Sequence, residues 1–463
     1  MKFYNREVEL TEIKNIIKSN QSAFVYLYGR RRIWKTTLIL KASEKNKRLY
    51  FFVWEKTKKA LLSDFNAILQ KELNLPYLKF DELKDLLDFL FDYSKKEKLI
   101  VVFDEFQNFY KIDKWIFSDF QYYWDLNKDE SKMKLFVLGS HFTLMKEIFE
   151  NNKNPLFGRK TAHFYLRNFD INTQINILSD KKLLKSRNLL YFFSIFFGIP
   201  KYIEIYLDKV NWNEAFLNNI LDIFIKENSF FIFEAKELFA LEFGKSYDIY
   251  FSILTAISCG YNQKNKIADF TWISIDSLWL YLNKLEKYFE LIDRRFPITE
   301  NKNSKISRYV IKDLFLKFWF RYIYKYNYLL EIKDFEWLKS FVKEDINKFL
   351  WFTFEELVRQ ILIEENLKWK LPFRIQKIWT FFNRKGTNEI DLVLLNSKEK
   401  KVLFIECKLN NDKINKGELI KLKKKVEEER IYSSYKQYFG FASVDKLDII
   451  CDYSLSIESF IEN

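Results

Sequence analysis

Glycine and proline are scarce in this chain, with nine and five in 463 residues, where average usage would give roughly 32 and 23. That scarcity excludes collagen-like, linker-like and low-complexity sequences. Disorder is excluded by what fills the gap: 48% of the residues are hydrophobic, with 49 Phe and 27 Tyr, ample apolar surface for packed cores. Each remaining glycine is expected where φ is positive or two backbones approach closely. They are Gly29, Gly139, Gly158, Gly198, Gly244, Gly260, Gly386, Gly417 and Gly440. Histidine is nearly missing; His141 and His163 are the two in the chain, which argues against histidine-ligated zinc and Ser-His-Asp catalysis. Metal chemistry would then run on carboxylates, which favours Mg²⁺ or Mn²⁺. The three cysteines, Cys259, Cys407 and Cys451, form no CxxC pair, so a reducing cytoplasm is the expected compartment. No long hydrophobic run exists. The most apolar stretch, 189–200, is about a dozen residues and too short for a bilayer. The first ten residues, with Lys2, Arg6, Glu7 and Glu9, do not read as a signal peptide. The expectation is a soluble protein with no membrane partner.

What is present in excess is positive charge. The formal net charge is +14, consistent with a nucleic-acid partner. The Lys, Ile, Asn and Phe excess equally fits an A/T-rich genome, which enriches lysine without any binding role.

Length suggests about three domains at ~150 residues each. Apolar runs at 23–28, 49–54, 99–103 and 134–138 alternate with helical patterns at 35–44, 58–72 and 81–94, the signature of a parallel α/β sheet. The pattern is helical from about 170 to 240. Helices at 247–258, near 264–269 and at 274–288 precede Leu291-Ile292-Asp293-Arg294-Arg295, a polar stretch at 300–306 and a strand-like 307–311. Three helices and a hairpin read as a winged helix-turn-helix. A last α/β segment begins near 335.

Gly29-Arg30-Arg31-Arg32-Ile33-Trp34-Lys35-Thr36, with Thr37 following, lies between a strand and a helix. A phosphate-binding loop reads GxxxxGK[ST]: backbone N–H groups and the helix start cradle phosphates, Lys reaches the β/γ oxygens and Ser/Thr binds Mg²⁺. Gly29, Lys35 and Thr36 keep that register, but Trp34 stands where the second glycine belongs. Either the indole crowds the β-phosphate and weakens the site, or it rotates outward and ATP binding survives. Asp104-Glu105 ends the run 99–103; Asp104 would hold the Mg²⁺ shell and Glu105 would polarise the attacking water.

Near the C-terminus, strands 388–395 and 401–408 flank a turn at 397–400. A hairpin symmetric about that turn sets Asp391 opposite Glu406. Such pairs stand ~4.5–5.5 Å apart at Cβ, close enough to share one divalent cation. Lys408 shares the face of Glu406 while Cys407 points away; the Cys407 carbonyl could complete the shell. The pattern suits metal-assisted phosphodiester hydrolysis.

Several of these segments resemble a known family. Phe3-Tyr4-Asn5-Arg6-Glu7-Val8-Glu9-Leu10, the loop 29–36, Asp104-Glu105-Phe106-Gln107, Gly139-Ser140, Pro155-Leu156-Phe157-Gly158-Arg159 and Gly198-Ile199-Pro200-Lys201-Tyr202 look like the archaeal ATPase family of the AAA+/STAND group. The resemblance implies that Asn5 and Arg6 lie near the adenine, Ser140 at the sensor-1 position, Arg159 toward the γ-phosphate, and Gly198-Ile199-Pro200 in the lid. The C-terminal pattern resembles the PD-(D/E)xK nuclease superfamily. That likeness implies a further acid on the preceding helix, Glu355 or, alternatively, Glu356, beside Asp391, Glu406 and Lys408.

The expected architecture is therefore α/β: a P-loop ATPase core at 1–168, a helical lid at 169–245, a winged helix-turn-helix at 246–325 and a restriction-endonuclease-like domain at 326–463. Lys421, Lys423, Lys424 and Lys425 could track phosphates or form a solvated face. Lys284, Lys287, Arg294, Arg295, Lys302, Lys305 and Arg308 are candidate DNA contacts or domain-packing residues. The expected function is nucleotide-controlled DNA binding and cleavage with ATP and Mg²⁺ or Mn²⁺, in defence or mobile-element biology by resemblance alone. The rival is a non-catalytic pseudo-ATPase acting as a DNA-binding scaffold. A homo-oligomer or a protein partner is left open.

Overall fold

A computed structural model describes residues 3–211, 214–243, 247–298, 307–383, 385 and 387–462. Gly244, Gly386, Lys302, Lys305 and the polar stretch 300–306 lie outside the described residues. The chain divides into two compact units, one of residues 1–168 with 199–204, the other of 169–198 with 205–463.

The first unit is built on five parallel strands, β1 (Ala23–Tyr28), β2 (Arg48–Phe52), β3 (Ile100–Asp104), β4 (Lys134–Gly139) and β5 (Ala162–Tyr165), in the order β2-β3-β4-β1-β5. Every residue of β1, β3 and β4 is buried, which is why these strands read as continuous apolar runs rather than alternating ones. Successive side chains still part to opposite faces. Phe24, Tyr26 and Tyr28 pack with Val101, Phe103, Leu135 and Val137 on one side. Val25 and Leu27 pack with Ile100, Val102, Phe136 and Leu138 on the other. Helices Lys35–Ala42, Lys58–Leu73, Leu83–Lys96 and Ile116–Asn127 belong to the same unit. Because the strands are parallel, Gly29, Asp104 and Ser140 all emerge at the carboxyl edge of the sheet, where Tyr28 pairs with Gly139 and Phe103 with Val137. The one-residue choice at Gly29 is forced: φ is +149°, and a Cβ would lie 2.4 Å from the Leu166 carbonyl oxygen.

In the second unit, helices Ile171–Asp180, Ser186–Phe196, Phe216–Phe224 and Phe230–Phe243 come first. Helices Tyr247–Ser258, Lys264–Thr271 and Ile275–Lys287 follow, then an antiparallel hairpin of β6 (Ile292–Arg295) and β7 (Arg308–Ile311). A 33-residue helix, Phe335–Leu367, leads into a mixed sheet. Its strands are β8 (Lys377–Phe382), β9 (Glu389–Asn396), β10 (Lys401–Lys408), β11 (Lys436–Ser443) and β12 (Tyr453–Ser456), ordered β12-β11-β10-β9-β8. β8, β9 and β10 are antiparallel neighbours; β10, β11 and β12 run parallel, with helix Lys416–Glu428 carrying the chain from β10 to β11. The β9–β10 register runs from Lys401 opposite Asn396 to Ile405 opposite Leu392, the register of a hairpin symmetric about its turn. Among the described residues no helix is long and apolar enough to cross a membrane.

Candidate functional site

The phosphate loop keeps its backbone despite Trp34. Arg32 (φ +71°) and Trp34 (φ +66°, ψ +29°) are both left-handed, and Trp34 is the N-cap of helix Lys35–Ala42. A glycine takes that conformation without strain, whereas a residue with a Cβ does not. The indole has turned toward the chain start: it stacks on Phe3 with centroids 5.3 Å apart and planes 8° from parallel. The Lys41 ammonium lies 4.1 Å above the other partner, the Phe3 ring. Ile33 is buried and Thr37 exposed.

Lys35 folds back on its own loop, donating to the carbonyl oxygens of Gly29 (2.9 Å) and Arg30 (2.8 Å). Burial pushes its ammonium down to about 8, against the pull of Glu105 and Asp104. Thr36 Oγ1 donates to Asp104 Oδ2 at 2.6 Å, so the loop and the end of β3 meet as the spacing required. Tyr50 also donates to Asp104 Oδ2, at 2.7 Å. No motif announces Tyr50; it stands on β2, next to β3. Glu105, itself left-handed at φ +54°, accepts from Ser140 Oγ at 2.6 Å and from Gln107 Nε2. Arg31 Nε reaches Ser140 Oγ at 3.4 Å.

Two residues placed by resemblance are engaged elsewhere. Arg6 is 3% exposed and donates to the carbonyls of Arg167 and Asn5, which braces the N-terminal segment. Arg159 pairs through Nε and Nη2 with Asp125 (3.0 and 2.9 Å) and through Nη1 with the Phe157 carbonyl (2.9 Å). In this structure the Arg159 guanidinium is therefore held by a local carboxylate.

The second cluster is in the C-terminal sheet. Just past the last ladder pair, Ile405 with Leu392, the Cys407 N–H donates at 2.7 Å to the Asp391 side chain. The Asp391 carboxylate has taken over an acceptor's place at the end of the ladder. Asp391 and Glu406 are buried. Glu406 Oε1 accepts from Lys425 at 2.7 Å, and the same ammonium donates to the Glu389 carbonyl at 3.0 Å. Lys408 lies 3.9 Å from Glu406 Oε2 and 3.8 Å from Glu418 Oε2. Glu355, on the long helix, is pushed up to about 7 by burial and by Glu389. Asp391 is raised well above the ordinary carboxylate range by burial, then by Glu355 and Glu406.

Among the described residues no group of three or more His, Cys, Asp or Glu side chains converges to hold an ion. The charges of Glu355 and Glu406 are nonetheless both felt at Asp391. Glu355 is half-buried, and Lys317, pushed down to about 8 by burial, feels its charge. Lys425 belongs to the site; Lys421 and Lys424 form helix-surface pairs with Glu418 and Glu428. Arg294 donates to Ser307 Oγ at 2.9 Å, while Arg295 and Arg308 pair with Glu356 and Glu389.

A parallel five-stranded sheet with a phosphate loop at its carboxyl edge, facing Asp104, defines an ATPase domain of the P-loop type. The chain belongs to the archaeal ATPase family. Residues 3–205 match the family described as "ATPase domain predominantly from Archaea", and residues 319–431 match "Archaea bacterial proteins of unknown function". An uncharacterized protein of Methanocaldococcus jannaschii is 34% identical over 421 residues, 88% of this chain and 87% of that one. In fold the chain is similar to a Walker-type ATPase of Pyrococcus abyssi, with a TM-score of 0.53 at 19% identity, covering 69% of this chain and 96% of the other.

Proposed function

We propose that the protein is a nucleotide-responsive ATPase whose C-terminal domain binds DNA and hydrolyses its phosphodiester bonds with Mg²⁺ or Mn²⁺. The observation that carries this reading is the β9–β10 hairpin, which brings Asp391 to the Cys407 N–H and so beside Glu406, with Lys408 and Lys425 at the same carboxylate. The element order supports it: a helix, three antiparallel strands, a crossover helix and a parallel strand are the order of the nuclease-like α/β fold expected from the sequence. The preceding three helices and hairpin fit a winged helix-turn-helix between the helical lid and this domain.

The donor set suits a hard divalent ion. Mg²⁺ is held by one or two carboxylates together with substrate oxygens rather than by a full protein cage. Asp391 and Glu406 would hold it, and it would supply charge for an attacking water and a developing phosphorane. The residues themselves contribute three things. Burial raises the Asp391 carboxyl, so that a cation is favoured over a bare pair of charges. The Cys407 N–H fixes the Asp391 rotamer, and Lys408 and Lys425 offer ammonium groups to an anionic substrate.

In the ATPase domain, Thr36 and Asp104 would take the nucleotide-bound Mg²⁺, Lys35 the phosphates and Glu105 the water. Asn5, Gly29, Arg30, Arg31, Arg32 and Ser140 would line that place. The second reading, a pseudo-ATPase scaffold, is favoured by one observation, the left-handed tryptophan at position 34.

The test is cleavage of single-stranded, duplex and branched DNA with Mg²⁺ or Mn²⁺, with and without ATP. Activity in the wild type that is lost in Asp391→Ala supports the nuclease; no cleavage of any substrate supports the scaffold.

A further inference from the structure

Arg295 and Arg308 stand directly opposite each other in the β6–β7 hairpin. Like charges facing across a ladder destabilise it, so this pairing persists only with counter-charge. The C-terminal domain supplies it. Arg295 Nη2 lies 3.3 Å from Glu356 Oε2, and Arg308 Nη1 donates to Glu389 Oε1. Both acceptors border the carboxylate cluster: Glu356 follows Glu355 on the long helix, and Glu389 precedes Asp391 by two residues, hence on the same face of β9.

We propose that Arg295 and Arg308 form a phosphate clamp for the DNA backbone at the mouth of the carboxylate site, and that Glu356 and Glu389 occupy it until DNA displaces them. This rests on the reading of that site as one that works on nucleic acid. Three features favour exchange over permanent docking. First, a phosphodiester presents the guanidinium with the same charge and fork geometry as a carboxylate. Second, one member of each ion pair faces solvent, Arg295 and Glu389 each being 37% exposed while Glu356 and Arg308 are half-buried, so a strand can reach one side of each pair. Third, the released partners are not stranded. Glu356 Oε2 is already 3.4 Å from Arg359 Nε, and Glu389 has the Lys425 ammonium on its own carbonyl. The Arg308 guanidinium lies 4.2 Å over the Phe382 ring, which holds it in place when its carboxylate leaves.

The clamp and a purely structural ion-pair network predict opposite signs when the carboxylates are neutralised. The assay is fluorescence anisotropy of a labelled 30-mer duplex with the full chain in EDTA, which prevents cleavage, over a series of salt concentrations. Glu356→Gln with Glu389→Gln is expected to tighten binding several-fold, while Glu399→Gln, a carboxylate at the far turn of the same sheet, leaves it unchanged. Arg295→Gln with Arg308→Gln is expected to weaken binding about tenfold and flatten the log–log salt slope by about 1.8, near 0.9 for each phosphate no longer neutralised. Arg295→Gln alone, at the more exposed position, carries half of that slope change and keeps the test informative if the double variant unfolds.

Binding by the Glu pair variant no tighter than by Glu399→Gln, or a salt slope unmoved by the Arg changes, overturns the clamp. These results separate from those of the nuclease assay. The binding changes without any cleavage leave the clamp standing and remove the hydrolytic reading; Asp391-dependent cleavage with unchanged binding does the reverse. No binding of DNA under any condition removes both.

Discussion

Trp34 offers the sharpest energetic test, because the backbone and the side chain at that position pull in opposite directions. Holding an L-residue left-handed costs about 1–2 kcal/mol, and the stack on Phe3 returns about 0.5–1.5 kcal/mol beyond area burial. Trp34→Gly removes both terms, so its stability should stay within about 1 kcal/mol of the wild type. Trp34→Ala keeps the left-handed strain and loses the stack, so it should be less stable than Trp34→Gly by about 1 kcal/mol. That order is the reverse of the usual one, since in ordinary helical backbone alanine exceeds glycine by roughly 0.5–1 kcal/mol. Urea unfolding followed by circular dichroism gives the order, read on the transition that ATP shifts. Calorimetry supplies the functional half: with the indole gone from the loop, Trp34→Gly should bind ATP more tightly than the wild type. An alanine variant as stable as the glycine variant would refute the left-handed assignment. Low-micromolar ATP binding already present in the wild type would show that the indole, stacked on Phe3, leaves the phosphates room.

Three further outcomes are expected. Tyr50→Phe removes one of the two hydroxyls on Asp104 Oδ2, and a hydrogen bond to a charged group is worth about 1.5–3 kcal/mol; thermal melting of the first unit should fall accordingly, with Thr36 still in place. Gly440→Ala would put a Cβ 2.3 Å from the Tyr453 carbonyl oxygen on the adjoining strand β12, so hydrogen exchange of β12 amides should accelerate strongly while that of β9 does not. Lys134, fully buried at the start of β4, is pushed down to about 8 from 10.5 by burial, with Lys98 adding repulsion. The folded state therefore disfavours its proton: the destabilisation is complete below pH 8 and fades as pH rises through the ordinary lysine value. The stability gap between Lys134→Gln and the wild type should then shift by about 3 kcal/mol in favour of the wild type between pH 7 and pH 11, read by denaturation at each pH.

Legibility followed burial and locality. The strands β1, β3 and β4 were readable because both faces are covered, and the phosphate loop because Gly29, Lys35 and Thr36 are close in sequence. The β9–β10 register was readable from one short turn. β5, with only four residues, and β8, where exposed and half-buried positions alternate, gave no comparable signal. The site partners that escaped notice are the non-local ones. Nothing near Arg159 in sequence announces Asp125, and nothing near Arg308 announces Glu389. Lys425 looked like one of four similar helix lysines until the fold set its ammonium on Glu406. Trp34 was visible as an anomaly, but its partner Phe3, far along the chain, was not.

Asp391 and Glu406 are expected to hold one divalent cation between them, and Mn²⁺ titration of the nucleotide-free protein by calorimetry tests this most directly. One ion is expected to bind to the wild type and to Thr36→Ala, and none at that affinity to Asp391→Asn or Glu406→Gln. Mn²⁺ binding unchanged in Asp391→Asn, or absent from the wild type, would contradict it.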